Sequence, residues 1–193
     1  MTVESPGRRR RGAELENSIL EATWAELMET GYARLTMEGV AARAQTGKQV
    51  LYRRWPSRPE LVLAAVRAHV GSILDAVPDT GSLREDAMIL LRHMARRQRE
   101  LGAEIMRGLM VEAVRLDPDA LHGMADLWLS VVERATKRGE IGPGPVPTRI
   151  VMAAGDLLRF RMLLSEDPVT EEMLTQLADE IFLPLIRTHA SAA

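Results

Sequence analysis

Thr36-Met-Glu-Gly-Val-Ala-Ala-Arg-Ala-Gln-Thr-Gly-Lys-Gln-Val-Leu-Tyr-Arg-Arg-Trp55 reads as two short helices joined by a tight turn. Thr36 is a natural N-cap, and Glu38 in the first turn suits the positive end of the helix dipole. Val40, Ala41 and Ala44 give the first of these helices a face of small residues that permits close packing. The second runs from about Lys48 to Trp55 and carries cations and hydrogen-bonding side chains; Pro56 closes it. Two helices at a steep angle, the second polar and cationic, is the geometry that enters a DNA major groove.

Charge supports this only when it is mapped along the chain. The net charge of the 193 residues is −2. Residues 1–58, however, hold ten Lys/Arg against seven Asp/Glu, and the remainder fifteen against twenty. Between Gly31 and Arg58 stand Arg34, Arg43, Lys48, Arg53, Arg54 and Arg58 against Glu38 alone. A basic front end on an acidic body is the footprint of a DNA reader joined to a part with another task. With no cysteine there is no disulfide framework and no thiolate metal site. The apolar runs are far shorter than a membrane span, and no apolar h-region follows the N-terminal arginines. The expectation is a soluble cytoplasmic protein.

Caps and breakers divide the chain into about nine helices with no strand-like alternation, so the expected fold is all-α. Residues 1–12 should form a flexible basic arm, 13–72 a three-helix reading domain continuing into helix 4, and 73–193 a second helical bundle. Leu20, Trp24 and Leu27 recur at helical spacing in the first helix, widened by Ile19 and Ala22, and Gly31 suits its C-terminal stop. Ser57-Arg-Pro-Glu60 is a capping box opening helix 4, with Leu61, Ala64, Ala65 and Ala68 inward. Ser82-Leu-Arg-Glu85 is a second, followed by the stripe Leu83, Ala87, Leu90, Met94. Leu101, Ile105 and Leu109 mark another helix, and Asp117-Pro118 starts the one bearing Leu121, Met124, Trp128, Val131 and Ala135. Gly142-Pro-Gly-Pro-Val-Pro147 reads as a linker. Two last helices span about 148–164 and 170–188.

Residues 13–72 resemble the tetracycline-repressor (TetR) family. The resemblance rests on Ile19-Leu20…Ala22…Gly31-Tyr32…Leu35-Thr36, Val40-Ala41…Ala44, and Lys48…Leu51-Tyr52-Arg53-Arg54-Trp55-Pro56-Ser57-Arg58. Arg138-Gly-Glu140 and Leu157-Leu-Arg-Phe-Arg161 resemble one subgroup's C-terminal domain. This implies a DNA site of Thr36, Gln45, Thr46, Lys48, Gln49, Tyr52, Arg53, Arg54 and Arg58. Lys48 and Gln49 occupy the first turn of the reading helix, where Gln can bond adenine and Lys either guanine or a phosphate. The Thr36 hydroxyl either donates to a phosphate or serves the backbone, Tyr52 is placed for a phosphate, and Arg53 or Arg54 clamps the backbone. Where the family often has Gly-Val in the turn, Gln45-Thr46 stand here, which forces Gln45 toward positive φ unless the turn is differently shaped. Val50 replaces a usual threonine. Glu26 replaces a usual leucine, either as a partly buried acid or snorkelling. Arg8 to Arg11 either enter the minor groove or remain solvated. Leu51 and Trp55 are expected in the core.

The resemblance also implies an effector pocket and a two-fold dimer. Eight of the eleven methionines lie beyond residue 72, and adaptable methionines suit an apolar ligand, although each alone reads as ordinary core. Leu90, Met94, Met106, Met110, Met124 and Trp128 are the lining candidates, with His93 beside them to orient a polar group. Val151, Ala154, Leu158 and Met162, with Leu174, Leu177, Ile181 and Leu185, are the expected dimer face; Asp156, Arg159 and Arg161 supply cross-interface pairs or solvated edges.

The partners are double-stranded operator DNA, a small effector and a second copy of the chain, with no membrane, cofactor or metal. An enzyme is the competing class, but no His follows a Glu at the spacing of the bundle di-metal motif, and no phosphate loop or nucleophile elbow occurs. An architectural DNA protein is opposed by the acidic body.

Overall fold

The computed structural model describes residues 12–71, 78–116, 120–165 and 167–191 and, of residues 110, 112–116 and 120–123, the backbone alone. The Arg8–Arg11 arm, the Asp117-Pro118 start signal and the side chains of Met110 and Leu121 therefore lie outside the described residues. Every regular element among the described residues is helical, and the chain divides into two compact units, residues 1–69 and 70–193.

The first unit comprises α1 (Ala13–Thr30), α2 (Met37–Arg43), α3 (Lys48–Arg54) and α4 (Arg58–Val70), the last ending at the division between units. The Thr36 hydroxyl oxygen accepts the Gly39 N–H, capping α2 as the sequence predicts. The inward face of α1 is Ile19, Ala22, Thr23 and Leu27, so the expected stripe is rotated: Leu20 and Trp24 are only half-buried. Thr23 tolerates burial because its hydroxyl donates to the Ile19 carbonyl at 2.7 Å. In α4, Leu61 and Ala65 are buried as predicted, but Val62 and Val66 complete the face and Ala68 is exposed. The larger β-branched side chains remove more area from water than the alanines would.

The second unit comprises α5 (Leu83–Leu101), α6 (Ala103–Leu116), α7 (Ala120–Lys137), α8 (Thr148–Val151), α9 (Ala153–Leu164), α10 (Glu171–Gln176), a π-helical turn (Leu177–Phe182) and α11 (Leu183–Ala190). Met152 alone separates α8 from α9, and α10 runs through the π turn into α11 without a break. Counted as continuous runs these make nine helices among the described residues. Leu101 closes α5 rather than opening α6, because Gly102, at φ 78°, intervenes.

The π turn has a visible cause in the burial pattern. Leu174, Ala178, Phe182, Ile186 and Ala190 are buried at a constant spacing of four. An α-helix advances 3.6 residues per turn, so this stripe would drift off the core; a wider turn keeps it aligned.

The Arg138-Gly-Glu140 segment is a built joint. Gly139, at φ 74°, donates to the Thr136 carbonyl and Glu140 to that of Ala135, the paired bonds of a glycine-type helix stop on α7. That turn aims Glu140 at the start of α5. Its neighbour Arg138 reaches Asp79, Glu140 and the fully buried Asp86, which also accepts the Thr80 N–H at 2.7 Å. The stretch Gly142–Pro147 is not the free linker its composition suggests. Gly144 donates to the Ala190 carbonyl at 3.1 Å, and a Cβ on Gly144 would stand 2.7 Å from that same oxygen.

Candidate functional site

The turn between α2 and α3 sets the reading helix. Ala44 ends α2 in helical geometry, and Gln45 then adopts φ 51°, the only positive φ outside glycine among the described residues. Gln45 N–H bonds the Ala42 carbonyl and Thr46 N–H that of Ala41, the same bond pair that ends α7. Gln45 thus occupies a position that glycine ordinarily takes, as the sequence anticipates, at a cost on the order of 1 kcal/mol.

Helix α3 buries Leu51 and, just past its end, Trp55, which fixes its inner side in the core. The opposite side carries Lys48, Gln49, Tyr52 and Arg53, all exposed. Thr36 and Gln45 are exposed and Thr46 half-buried. The Thr36 oxygen is used by the Gly39 N–H, but its own proton remains available to donate.

The cations sort in a way that the linear charge pattern does not reveal. Arg54 pairs with the Glu16 carboxylate of α1, and a second nitrogen lies 3.5 Å from the Gly12 carbonyl oxygen. Arg43 is held between Glu29 and Glu26, the latter at 2.8 Å, and these bonds raise its pKa. Glu26 is therefore a partly buried acid with a partner, and α2 passes it closely: a Cβ at Gly39 would meet its carboxylate oxygen at 2.8 Å. Lys48 Nζ lies 3.1 Å from a Glu38 oxygen. Arg34 and Arg58 donate to the Thr30 and Leu35 carbonyls, and Arg58 also lies over the Tyr32 ring, 4.7 Å from its centre. Arg53 alone among these six has no intramolecular partner in the described residues. Of the two arginines expected to clamp the DNA backbone, Arg53 is the available one.

In the second unit, Leu90, Met94 and Trp128 belong to the buried core cluster, and Met106 and Met124 pack against that cluster. Trp128 leans on Phe182 at 5.1 Å between ring centres, and its indole N–H is buried without a hydrogen-bond partner. His93 is a correction: it is exposed, on the side of α5 away from the core, so it does not line that group. The expected dimer face is taken up in part by the unit's own core. Val151, Ala154, Leu158, Met162 and Leu174 are buried within the unit's own core, while Leu177, Ile181 and Leu185 are half-buried. The apolar side left uncovered on α9 is instead Leu157, Phe160 and Leu164, exposed by 48%, 61% and 70%.

Comparison with known proteins agrees with this architecture. Residues 19–65 match the family model of bacterial regulatory proteins of the tetR family, and residues 77–181 match the tetracyclin repressor-like C-terminal domain. The chain belongs to the TetR family. An uncharacterised HTH-type transcriptional regulator of Mycobacterium tuberculosis (strain ATCC 25618 / H37Rv) is 35% identical over 178 residues, covering 88% of this chain and 86% of the relative. A Mycobacteroides abscessus protein named DNA-binding transcriptional repressor TetR is 32% identical, over 93% of this chain and 98% of its own length. The crystal structure of the TetR family transcription regulator SCO0332 superposes with a TM-score of 0.66 at 26% identity, over 88% of this chain and 97% of that one. As a TetR-family protein the chain is a helix-turn-helix transcriptional regulator that binds DNA and is not an enzyme. No helix among the described residues is long and apolar enough to cross a membrane.

Proposed function

We propose that this regulator is a cytoplasmic repressor that binds a pseudo-palindromic operator as a homodimer and is released by a small, largely apolar effector. The reading rests on one observation above the others: Lys48, Gln49, Tyr52 and Arg53 stand exposed on one side of a helix whose other side is locked into a core. A rigid helix with a polar outer face suits base-edge contacts, each contributing roughly 1–3 kcal/mol of discrimination. Repression is supported by the name of the Mycobacteroides abscessus relative. The uncovered stripe Leu157, Phe160, Leu164 on α9 supports a second copy as partner, since contiguous exposed apolar surface marks association. An effector is supported by the adaptable Met106 and Met124, packed against the core cluster that contains Trp128, whose unpartnered N–H offers a donor to a ligand oxygen.

Selection of bound sites from random duplex DNA, followed by titration at two salt concentrations, tests this function. An enriched inverted repeat bound roughly a thousandfold or more tighter than scrambled DNA is the expected result. No enrichment, with weak and steeply salt-dependent binding to every duplex, would sink the repressor reading.

A further inference from the structure

Lys48 opens the reading helix, yet its ammonium is engaged by Glu38, an acid on α2 ten residues earlier in the chain. Both side chains are open to solvent, at 58% and 62% exposure. An ion pair so exposed adds little to stability. It also places a carboxylate among groups that would face DNA phosphates, where negative charge opposes binding. The same pattern recurs across the reading unit, where Glu16, Glu26 and Glu29 hold Arg54 and Arg43. Those pairs join α1 to α2 and to α3 and have a structural use. The Glu38–Lys48 pair joins exposed ends of α2 and α3, next to Thr36.

Resting on the DNA-binding reading above, we propose that Glu38 is a positioning residue that acts through Lys48 to suppress non-specific DNA binding and so raises operator selectivity. The logic is differential. Against arbitrary DNA, a free lysine gains mainly by contacting phosphate and releasing a counterion. To do so Lys48 must leave Glu38, whose carboxylate is then unpaired in the field of the backbone. On the operator, Lys48 directs its remaining ammonium protons to a base edge, and guanine O6/N7 accepts them while Glu38 keeps its share. The penalty therefore falls on the loosely bound, phosphate-led complexes. The bond also holds the Glu38 carboxyl below its ordinary pKa.

The test compares the full-length protein with Glu38→Gln, Lys48→Gln and the double variant. Each is titrated with the selected operator and with a scrambled duplex of the same length over a range of salt. Glu38→Gln should bind scrambled DNA roughly two- to fivefold more tightly per reading head, the scale of an exposed ion pair. Operator affinity should change less, so the ratio of the two falls. The salt slope on scrambled DNA should steepen by about 0.9 for each additional phosphate neutralised. In the Lys48→Gln background the same change should leave the ratio unaltered, and Glu38→Asp should restore part of the selectivity. Equal tightening on both duplexes, or an undiminished effect without Lys48, would overturn the proposal. Absence of any preferred duplex for the wild-type protein would instead remove the DNA-reading function on which it rests.

Discussion

Glu140 closes the first turn of α5: both of its carboxylate oxygens lie 2.9 Å from the backbone nitrogen of Leu83. The first amides of a helix lack internal partners, and an acid there also meets the positive end of the dipole. Ser82 caps the same turn through Glu85 N–H, so two side chains from different parts of the chain share the task. Glu140→Ala should lower stability by about 1–2 kcal/mol, the range of a lost cap. A urea midpoint that falls with unchanged slope would confirm the effect, and an unmoved midpoint would refute it.

Arg53 and Arg54 are adjacent in sequence but differ in what they touch. Arg53→Ala should weaken operator and scrambled duplex alike and reduce the salt slope by about one per reading head, as for a phosphate contact. Arg54→Ala should act first on thermal stability, because Arg54 ties α3 to Glu16 of α1. Reversal of these two outcomes would show that the Glu16 pair opens on DNA.

Gln45→Gly separates backbone strain from side-chain contact. Removing the Cβ at φ 51° should relieve roughly 1 kcal/mol, offset in part by the greater freedom of glycine in the unfolded chain. The melting temperature should therefore rise slightly. If the exposed Gln45 side chain contacts DNA, operator affinity should fall in the same variant.

Arg84 grips Asp179 with two nitrogens, at 2.7 and 2.8 Å, and these hydrogen bonds with the guanidinium charge hold the Asp179 carboxyl below its ordinary value. A depressed carboxylate pKa stabilises the fold above the unfolded value, about 3.9 for aspartate, and that contribution disappears as the pH falls through the folded value. The difference in melting temperature between the wild-type protein and Arg84→Gln should be full at pH 6 to 7 and shrink toward zero in stronger acid. A difference independent of pH would mean that Arg84 stabilises by packing alone.

The reading unit was legible from sequence where the signals are local. Thr36 caps α2, Val40, Ala41 and Ala44 face inward, and Gln45 bears the positive φ that its place in the turn demands. Pairing at a distance was not legible. The acids that engage Arg54 and Arg43 stand 38, 17 and 14 residues away, on a helix outside the stretch from Gly31 to Arg58. The excess of positive charge over that stretch therefore overstates the free cations. Likewise, helical spacing on α9 marked Leu158 and Met162 as apolar but not which side the unit's own core would take. A periodic stripe specifies burial without naming the surface that provides it.

The π turn at Leu177–Phe182 makes the register of the last helical run depend on the shape of one turn, in a way that its composition conceals. Removing a single residue there could restore an unbroken α-helix and improve its local hydrogen bonding. Straightening the turn with every residue kept would instead rotate everything that follows by about 100°. Leu183, Ile186 and Ala190 would then swing away from the core, and the Ala190 carbonyl would leave Gly144. In this stretch a one-residue deletion is tolerable variation, whereas a substitution that straightens the turn is a change of partner.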